Sequence, residues 1–175
     1  MRFRHLEQHG RHFRVADPAW RRPLEGHHSQ RHGGRWNEEG SFPVVYLFTA
    51  VDVARSFVLY KHRDLPYSVL DMVPDRQPVL VGTDVPDGRH VDIVSDRGCV
   101  AAGLPASYPR EADSMDIPWA RCQPIGQAAW DQGEPGMACR SATARVGDIG
   151  HELAWFERDQ RLRSAGRQRF DEWVA

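Results

Sequence analysis

The run Gly33-Gly34-Arg35-Trp36-Asn37 gathers the chain's densest set of chemically useful groups. Paired glycines let a backbone come close to a ligand and can aim amide N–H groups at an anion. Arg35 adds a planar fork of donors, Trp36 a flat apolar face, and Asn37 an amide that both donates and accepts. Together these groups would suit phosphates beside an aromatic base. The glycines do not follow the G-x-G-x-x-G spacing, and G-x-x-x-x-G-K-[ST] is absent. Neither a dinucleotide fingerprint nor a triphosphate-binding loop is therefore present. By chemistry alone the same residues also describe a tight turn followed by a buried tryptophan.

Other candidates are scattered. Arg14 lies between Phe13 and Val15, so strand alternation puts it on the face opposite them, at the surface or in a polar cleft. Tyr46 sits inside the apolar run 44–48, where a buried hydroxyl needs a partner; core packing and a site role both fit. Ser141 closes a short apolar run without the G-x-S-x-G elbow of a nucleophile. His27, His28 and His32 would need carboxylate or cysteine help to hold a metal. H-E-x-x-H is missing, although His151-Glu152 occurs, so no metal is expected. Cys99, Cys122 and Cys139 are odd in number and widely spaced, which fits neither a disulfide framework nor a zinc pattern.

The elements that must position these residues read as a mixture. His12–Ala16 is a short strand stopped by Asp17-Pro18, and residues 21–34 are a polar loop. Val44–Phe48 is a central strand, and Val53, Phe57 and Tyr60 make one stripe on a helix over about 51–62. Residues 65–73, 78–83, 137–141 and 152–156 read as strands, and 91–94 as a short strand or helix start. Residues 98–118 are loop-like, and a helix follows Pro124 through Ile125, Ala128 and Ala129. Phe170–Val174 is a small amphipathic tail. Many short strands with few helices point to an α+β fold. At 175 residues the chain is expected to form one domain, 1–175.

Charge narrows the function classes. The formal net charge is −1, so global charge argues for neither nucleic acid nor an anionic membrane. No apolar run is long enough for a membrane span or a signal peptide, and a cytoplasmic address is expected. The distribution is uneven. Residues 1–35 hold eight arginines against Glu7, Asp17 and Glu25, a local balance of +5. Arginine's fork suits phosphate and carboxylate, so this lobe could draw in an anionic ligand; it could equally be a solvated face paired with the acidic remainder.

Taken in order, several of these elements resemble the RES-domain family. The residues that carry the resemblance are Phe13-Arg14-Val15, then Ser29 to Asn37 with Gly40, then Val45-Tyr46-Leu47 before a helix. Gly103-Leu104-Pro105, Gln123 to Gly126 with Trp130, and Arg140-Ser141-Ala142 follow. Family members are typically toxins of toxin–antitoxin pairs that consume NAD. The resemblance implies an ADP-ribosyltransferase-like fold, with short mixed strands in a split sheet around an NAD cleft and flanking helices. It implies NAD as substrate, with inorganic phosphate as a further reactant, a Xre-like helix-turn-helix antitoxin and a homodimer as partners, and no direct nucleic-acid or membrane binding. Arg14 and Arg35 match the family's arginines for the NAD phosphates. Gly34, Trp36, Asn37 and Tyr46 complete the NAD-binding set, and Arg35, Tyr46 and Ser141 match the catalytic set.

The glutamate of the pattern is missing. The family carries it on the helix after the tyrosine strand, where this chain has Ala54-Arg55-Ser56-Phe57-Val58-Leu59-Tyr60. Asp52 is the nearest acid and comes too early; Glu25, Glu38, Glu39 and Glu111 have no spacing in their favour. Residues 152–159 stand where the family has an Asn-rich strand. The loss matters because breaking the nicotinamide–ribose bond builds positive charge on the ribose. Removing one electrostatic stabiliser costs roughly 3–4 kcal/mol in the transition state. Several readings stay open: an NAD glycohydrolase or phosphorylase with a displaced acid or none, an ADP-ribosyltransferase, a weakened nucleotide-binding module, or an interaction protein whose surface matters more than its pocket.

Overall fold

Val44–Phe48 (β2) and Glu152–Phe156 (β5) are short apolar runs, and they pair antiparallel, Val44 with Phe156 and Phe48 with Glu152. Around this pair lie β1 (His5–Ala16), β3 (Val79–Ile93), β4 (Gly136–Cys139) and β6 (Ser164–Gln168). The helices are α1 (His27–His32), α2 (Val51–Lys61), α3 (Asp96–Ala101), α4 (Trp119–Asp131) and α5 (Phe170–Trp173). The computed structural model describes residues 1–111 and 115–174.

Strand order is β1-β2-β5-β4-β3-β6, and β3 also pairs with β1. The fold is α+β, but the expected split sheet is a barrel-like closed sheet with flanking helices. The reason is the length of the β1–β3 pairing, which runs from His5↔Val91 to Ala16↔Val79 and joins the two halves. Among the described residues, only the β3–β4 pair is parallel.

Closure creates an inside and an outside. Ala16, Val45, Leu47, Val81, Leu153 and Trp155 fill the interior. Outside, α2 and α5 cover Phe48 and Leu80. On the other flank, α3, α4 and the chain around Tyr108 cover Val44, Ile93, Met137, Ala154 and Phe156. Each such side chain, fully buried, contributes about 1.5–3 kcal/mol of transfer free energy.

Several expected elements change. The polar loop 21–34 contains α1, fixed by Ser29, whose hydroxyl donates to Val44 O (2.6 Å) and accepts from Val44 N (2.9 Å). Residues 65–73 form turns rather than a strand, and Leu65, Leu70 and Val73 are exposed. Strand 78–83 and segment 91–94 are parts of the single long β3. Inside the loop-like stretch 98–118 lie the end of α3 and a bridge between Arg110 and Asp116; residues 112–114 are outside the described residues. Helix α4 starts before Pro124 and runs through it. The proline leaves Ala120 O without its helical donor, at an exposed first turn where water can serve.

Candidate active site

The Gly33–Asn37 segment is a buried buckle that presents one side chain. Tyr46 Oη accepts from Trp36 N (3.0 Å) and donates to Asn37 Oδ1 (2.9 Å). Asn37 Nδ2 donates to Ser29 O (2.8 Å) and Phe42 O (3.2 Å). Trp36, 0% exposed, donates its indole N–H to Cys139 Sγ (3.3 Å). From α4, Gln123 donates to Gly34 O (3.0 Å). Gly34 and Gly126 allow this closeness: a Cβ on Gly34 would overlap the Tyr46 hydroxyl, and one on Gly126 would overlap Trp36 O. The missing Cβ of Gly34 thus makes room for a protein phenol.

This arrangement revises the expected NAD-binding roles of Trp36 and Asn37. The indole is sealed in the core, so its face is closed to a base, and the Asn37 amide is committed to the protein. Arg35 remains. Its half-buried guanidinium donates to Ile117 O (3.2 Å) and lies beside the Cys122 thiol. Burial opposes its charge, but Tyr108, Cys122 and Glu152 outweigh that and hold its pKa above the ordinary arginine value.

Strand pairing brings Ser141 and an unexpected acid to the same place. Glu152 pairs with Cys139 across β5–β4 and so shares a sheet face with it. That face is the one on which Tyr46, Cys139 and Ala154 pack under α4. Ser141, two residues past β4, lies beside the Glu152 carboxylate and favours its charged form. Ser141 Oγ also accepts from Thr143 N (3.2 Å) and lies 3.0 Å from Thr143 Oγ1. With Thr143 as donor, the Ser141 proton is left for the carboxylate. Burial raises the Glu152 pKa above the usual carboxylate range, and Ser141 and Arg35 pull it partly back. Burial also pushes the Tyr46 phenol well above its ordinary value, with Cys139 and Glu152 adding to the rise. Tyr108, 1% exposed, lies within electrostatic reach of Arg35 and Glu152, and its hydroxyl has no hydrogen-bond partner among the described residues.

Arg35, Tyr46, Ser141 and Glu152 therefore converge, and Arg14 stands apart. Arg14 pairs with Val81, whose side chain is in the ring interior, so Arg14 points inward, away from the outer face. It donates to Glu25 O (3.3 Å) and lies 5.4 Å from the Trp20 ring. Burial pulls its pKa down to about 10 against the opposing pull of Glu157 and Tyr46. Two surface concavities, of about 650 Å³ beside Arg4, Arg97 and Val100 and about 400 Å³ beside His62, Tyr67 and Arg145, touch neither group. The candidate site is the Arg35–Glu152 cluster, which lines neither concavity.

Sequence reasoning missed Glu152 and Tyr108. The signal for Glu152 was available: an acid opens the apolar run Leu153–Phe156, and alternation places it with Ala154 and Phe156. Tyr108 carried no such signal. Among the described residues no group of three or more His, Cys, Asp or Glu is disposed to hold a metal ion, and no helix is long and apolar enough to cross a membrane.

Similarity to known proteins fits this picture. A stretch of 114 residues is 29% identical to the protein named NAD(+) phosphorylase MbcT in Mycobacterium bovis (strain ATCC BAA-935 / AF2122/97) and in Mycobacterium tuberculosis (strain ATCC 25618 / H37Rv). It covers 64% of this chain and 57% of those proteins, so the match spans little more than half the length of these curated relatives. The fold is similar to that in the crystal structure of the M. tuberculosis MbcT–MbcA toxin–antitoxin complex. The TM-score is 0.74 at 22% identity, covering 97% of this chain and 91% of that one. Residues 7–173 match the RES domain, and by that near-complete match the chain belongs to the RES domain family.

Proposed function

We propose that this chain is an NAD-consuming enzyme that breaks the bond between nicotinamide and ribose. The observation that carries this reading is the meeting of Arg35 and Ser141, far apart in sequence, around one half-buried carboxylate, Glu152, which strand pairing sets opposite Cys139. Arginine is the group for the anionic pyrophosphate of the substrate. Ser141 can orient a ribose hydroxyl or the nicotinamide amide by exchanging its contact with the Thr143 hydroxyl for one to the substrate. Tyr46 holds the Arg35 loop by its two hydrogen bonds and acts through it. Arg14 supplies a buried positive charge from the ring interior rather than a direct ligand contact.

The similarity to proteins named NAD(+) phosphorylase favours phosphate over water as the acceptor. The structural neighbour is a toxin bound to its antitoxin, and we read this chain as the toxin half of such a pair, with a helix-turn-helix antitoxin as its partner. The test is direct. NAD is incubated with the protein, with and without phosphate, and nicotinamide is followed. Release that rises with phosphate supports phosphorolysis, and equal release supports hydrolysis. No release from a folded sample removes the enzyme reading.

One observation favours a second reading. The acid on α2, Asp52, is 57% exposed and pairs with Arg55, so α2 brings no carboxylate to the site. A nucleotide-binding module that has lost turnover would share that feature. Calorimetry with NAD and ADP-ribose separates the two: tight binding without turnover supports the module.

A further inference from the structure

The geometry points to Glu152, at the start of β5, as the carboxylate that faces the ribose in this site, in place of an acid on α2. This inference rests on the nicotinamide–ribose cleavage proposed above.

Three observations converge on it. The first is position. Pairing with Cys139 and Phe48 fixes Glu152 between β4 and β2, on rigid backbone. Side chains held on strands keep their geometry better than those on loops. The second is company. Arg35, Tyr46, Tyr108, Cys139 and Ser141 are the titratable and polar groups that face Glu152, from the Gly33–Asn37 segment, β2, the chain before α4, β4 and the turn after it. Arg35 is the one cation among them. The third is imbalance. Glu152 makes no ion pair at contact distance with a described residue, and the hydroxyl of Tyr108 beside it has no partner. Glu152 is half-buried, and among the described residues no contact cation neutralises its carboxylate. A cation that forms during the reaction would supply the missing partner.

The reaction forms such a cation. As the C–N bond to nicotinamide breaks, its electron pair goes to the ring nitrogen and cancels the pyridinium charge. The positive charge passes to the ribose, shared between its anomeric carbon and ring oxygen. Glu152 stabilises that charge while an oxygen of phosphate, or of water, bonds to the anomeric carbon. With water as acceptor, one proton is released. Arg35 favours the ionised form of Glu152 and also holds the substrate's anionic groups.

A rival acid is at hand. Asp148 accepts from Ser56 Oγ (2.6 Å) and Arg145 N (2.7 Å), next to α2. Both bonds fall on one oxygen of its carboxylate, and Arg35 is not among the charges that act on it.

The experiment measures nicotinamide release by the full chain and by Glu152→Gln, Glu152→Asp and Asp148→Asn, across pH and with phosphate present. Circular dichroism and NAD affinity are measured alongside. Glu152→Gln should lower kcat on the order of a hundredfold and keep NAD affinity within about tenfold. Asp148→Asn should keep kcat within about threefold. Wild-type kcat should fall on the acid side as Glu152 takes a proton, and this limb should vanish in Glu152→Gln. Unchanged kcat and pH profile in Glu152→Gln overturn the assignment, as does loss of turnover in Asp148→Asn alone. If Glu152→Gln does not fold, Glu152→Asp decides: a lowered kcat with a shifted acid limb supports the assignment, and neither change overturns it. A folded wild type that releases no nicotinamide sinks the cleavage reading itself, and the role of Glu152 with it. An active wild type with an indifferent Glu152 sinks only the latter.

Discussion

Adjacent residues in the Arg35 segment have opposite duties. Arg35 is half-buried and bonded to a single backbone carbonyl, so little of the fold depends on it. Arg35→Ala should abolish nicotinamide release and leave the unfolding midpoint in urea nearly unchanged. Trp36 is fully buried against Tyr108 and bonded to Cys139. Trp36→Ala should cost about 3–5 kcal/mol, read as a lowered midpoint, whatever happens to activity. Tyr46→Phe lies between them. It strands Trp36 N and Asn37 Oδ1, both deep in the protein, and should cost about 1–3 kcal/mol and lower kcat together. The residue types alone pointed to Arg35, Tyr46 and Ser141, because arginine, a phenol in an apolar run and a strand-end serine each carry chemistry. They could not separate a tryptophan that binds from one that packs. That distinction depends on what lies opposite, and Cys139 is more than a hundred positions away.

Helix α4 is the element that holds the Arg35 segment against β2. Its Gly126 touches Trp36 O and no candidate catalytic side chain. Gly126→Ala puts a methyl against backbone, which cannot swing aside as a side chain would. The substitution should cost about 1–3 kcal/mol and also depress nicotinamide release, because the loop that carries Arg35 must shift. Paired thermal melts and turnover measurements check both effects; a stable variant with full activity would mean α4 does not position the loop. Elements such as α4, β2 and β5 were legible because their apolar residues face a core with a regular period. The strand β6 was not, because every residue of Ser164–Gln168 is exposed and only hydrogen bonding to the β3 edge makes it a strand. Nor was the full length of β3. Only 78–83 and 91–94 read as separate strands, yet the chain between them stays extended because β1 pairs along both sides of it, with an irregularity between Gln8 and Gly10. The run 65–73 misled in the opposite sense, since Leu65, Leu70 and Val73 stay at the surface while Val69 alone is fully buried.

The closed ring as a whole has an apolar end and a polar one. At the polar end Gln8 Oε1 lies 3.0 Å from His151 Nε2 and 3.4 Å from His12 Nε2, and His90 sits 1% exposed beside Trp155. His90 Nδ1 faces Gly88 O (3.3 Å), while its Nε2 has no partner among the described residues. A proton on Nε2 would therefore be a buried donor without an acceptor. Burial accordingly pulls the His90 pKa down to about 4, with His12 and His5 adding repulsion, and burial lowers those of His12 and His151 as well. The sign follows from linkage. Between the unfolded value of 6.5 and about 4, the unfolded chain binds a proton that the native chain refuses, so stability falls as pH falls through that window. For His90 alone the loss reaches about 3 kcal/mol at the bottom of the window. Urea unfolding at pH 7 and pH 5 should show a lower midpoint at pH 5 with an unchanged slope. His90→Leu removes the refused proton and should flatten that dependence without touching the Arg35 cluster on the opposite side of the sheet. A variant as acid-sensitive as the wild type would mean that the ring opens elsewhere first, and that the histidines inside it do not set its acid limit.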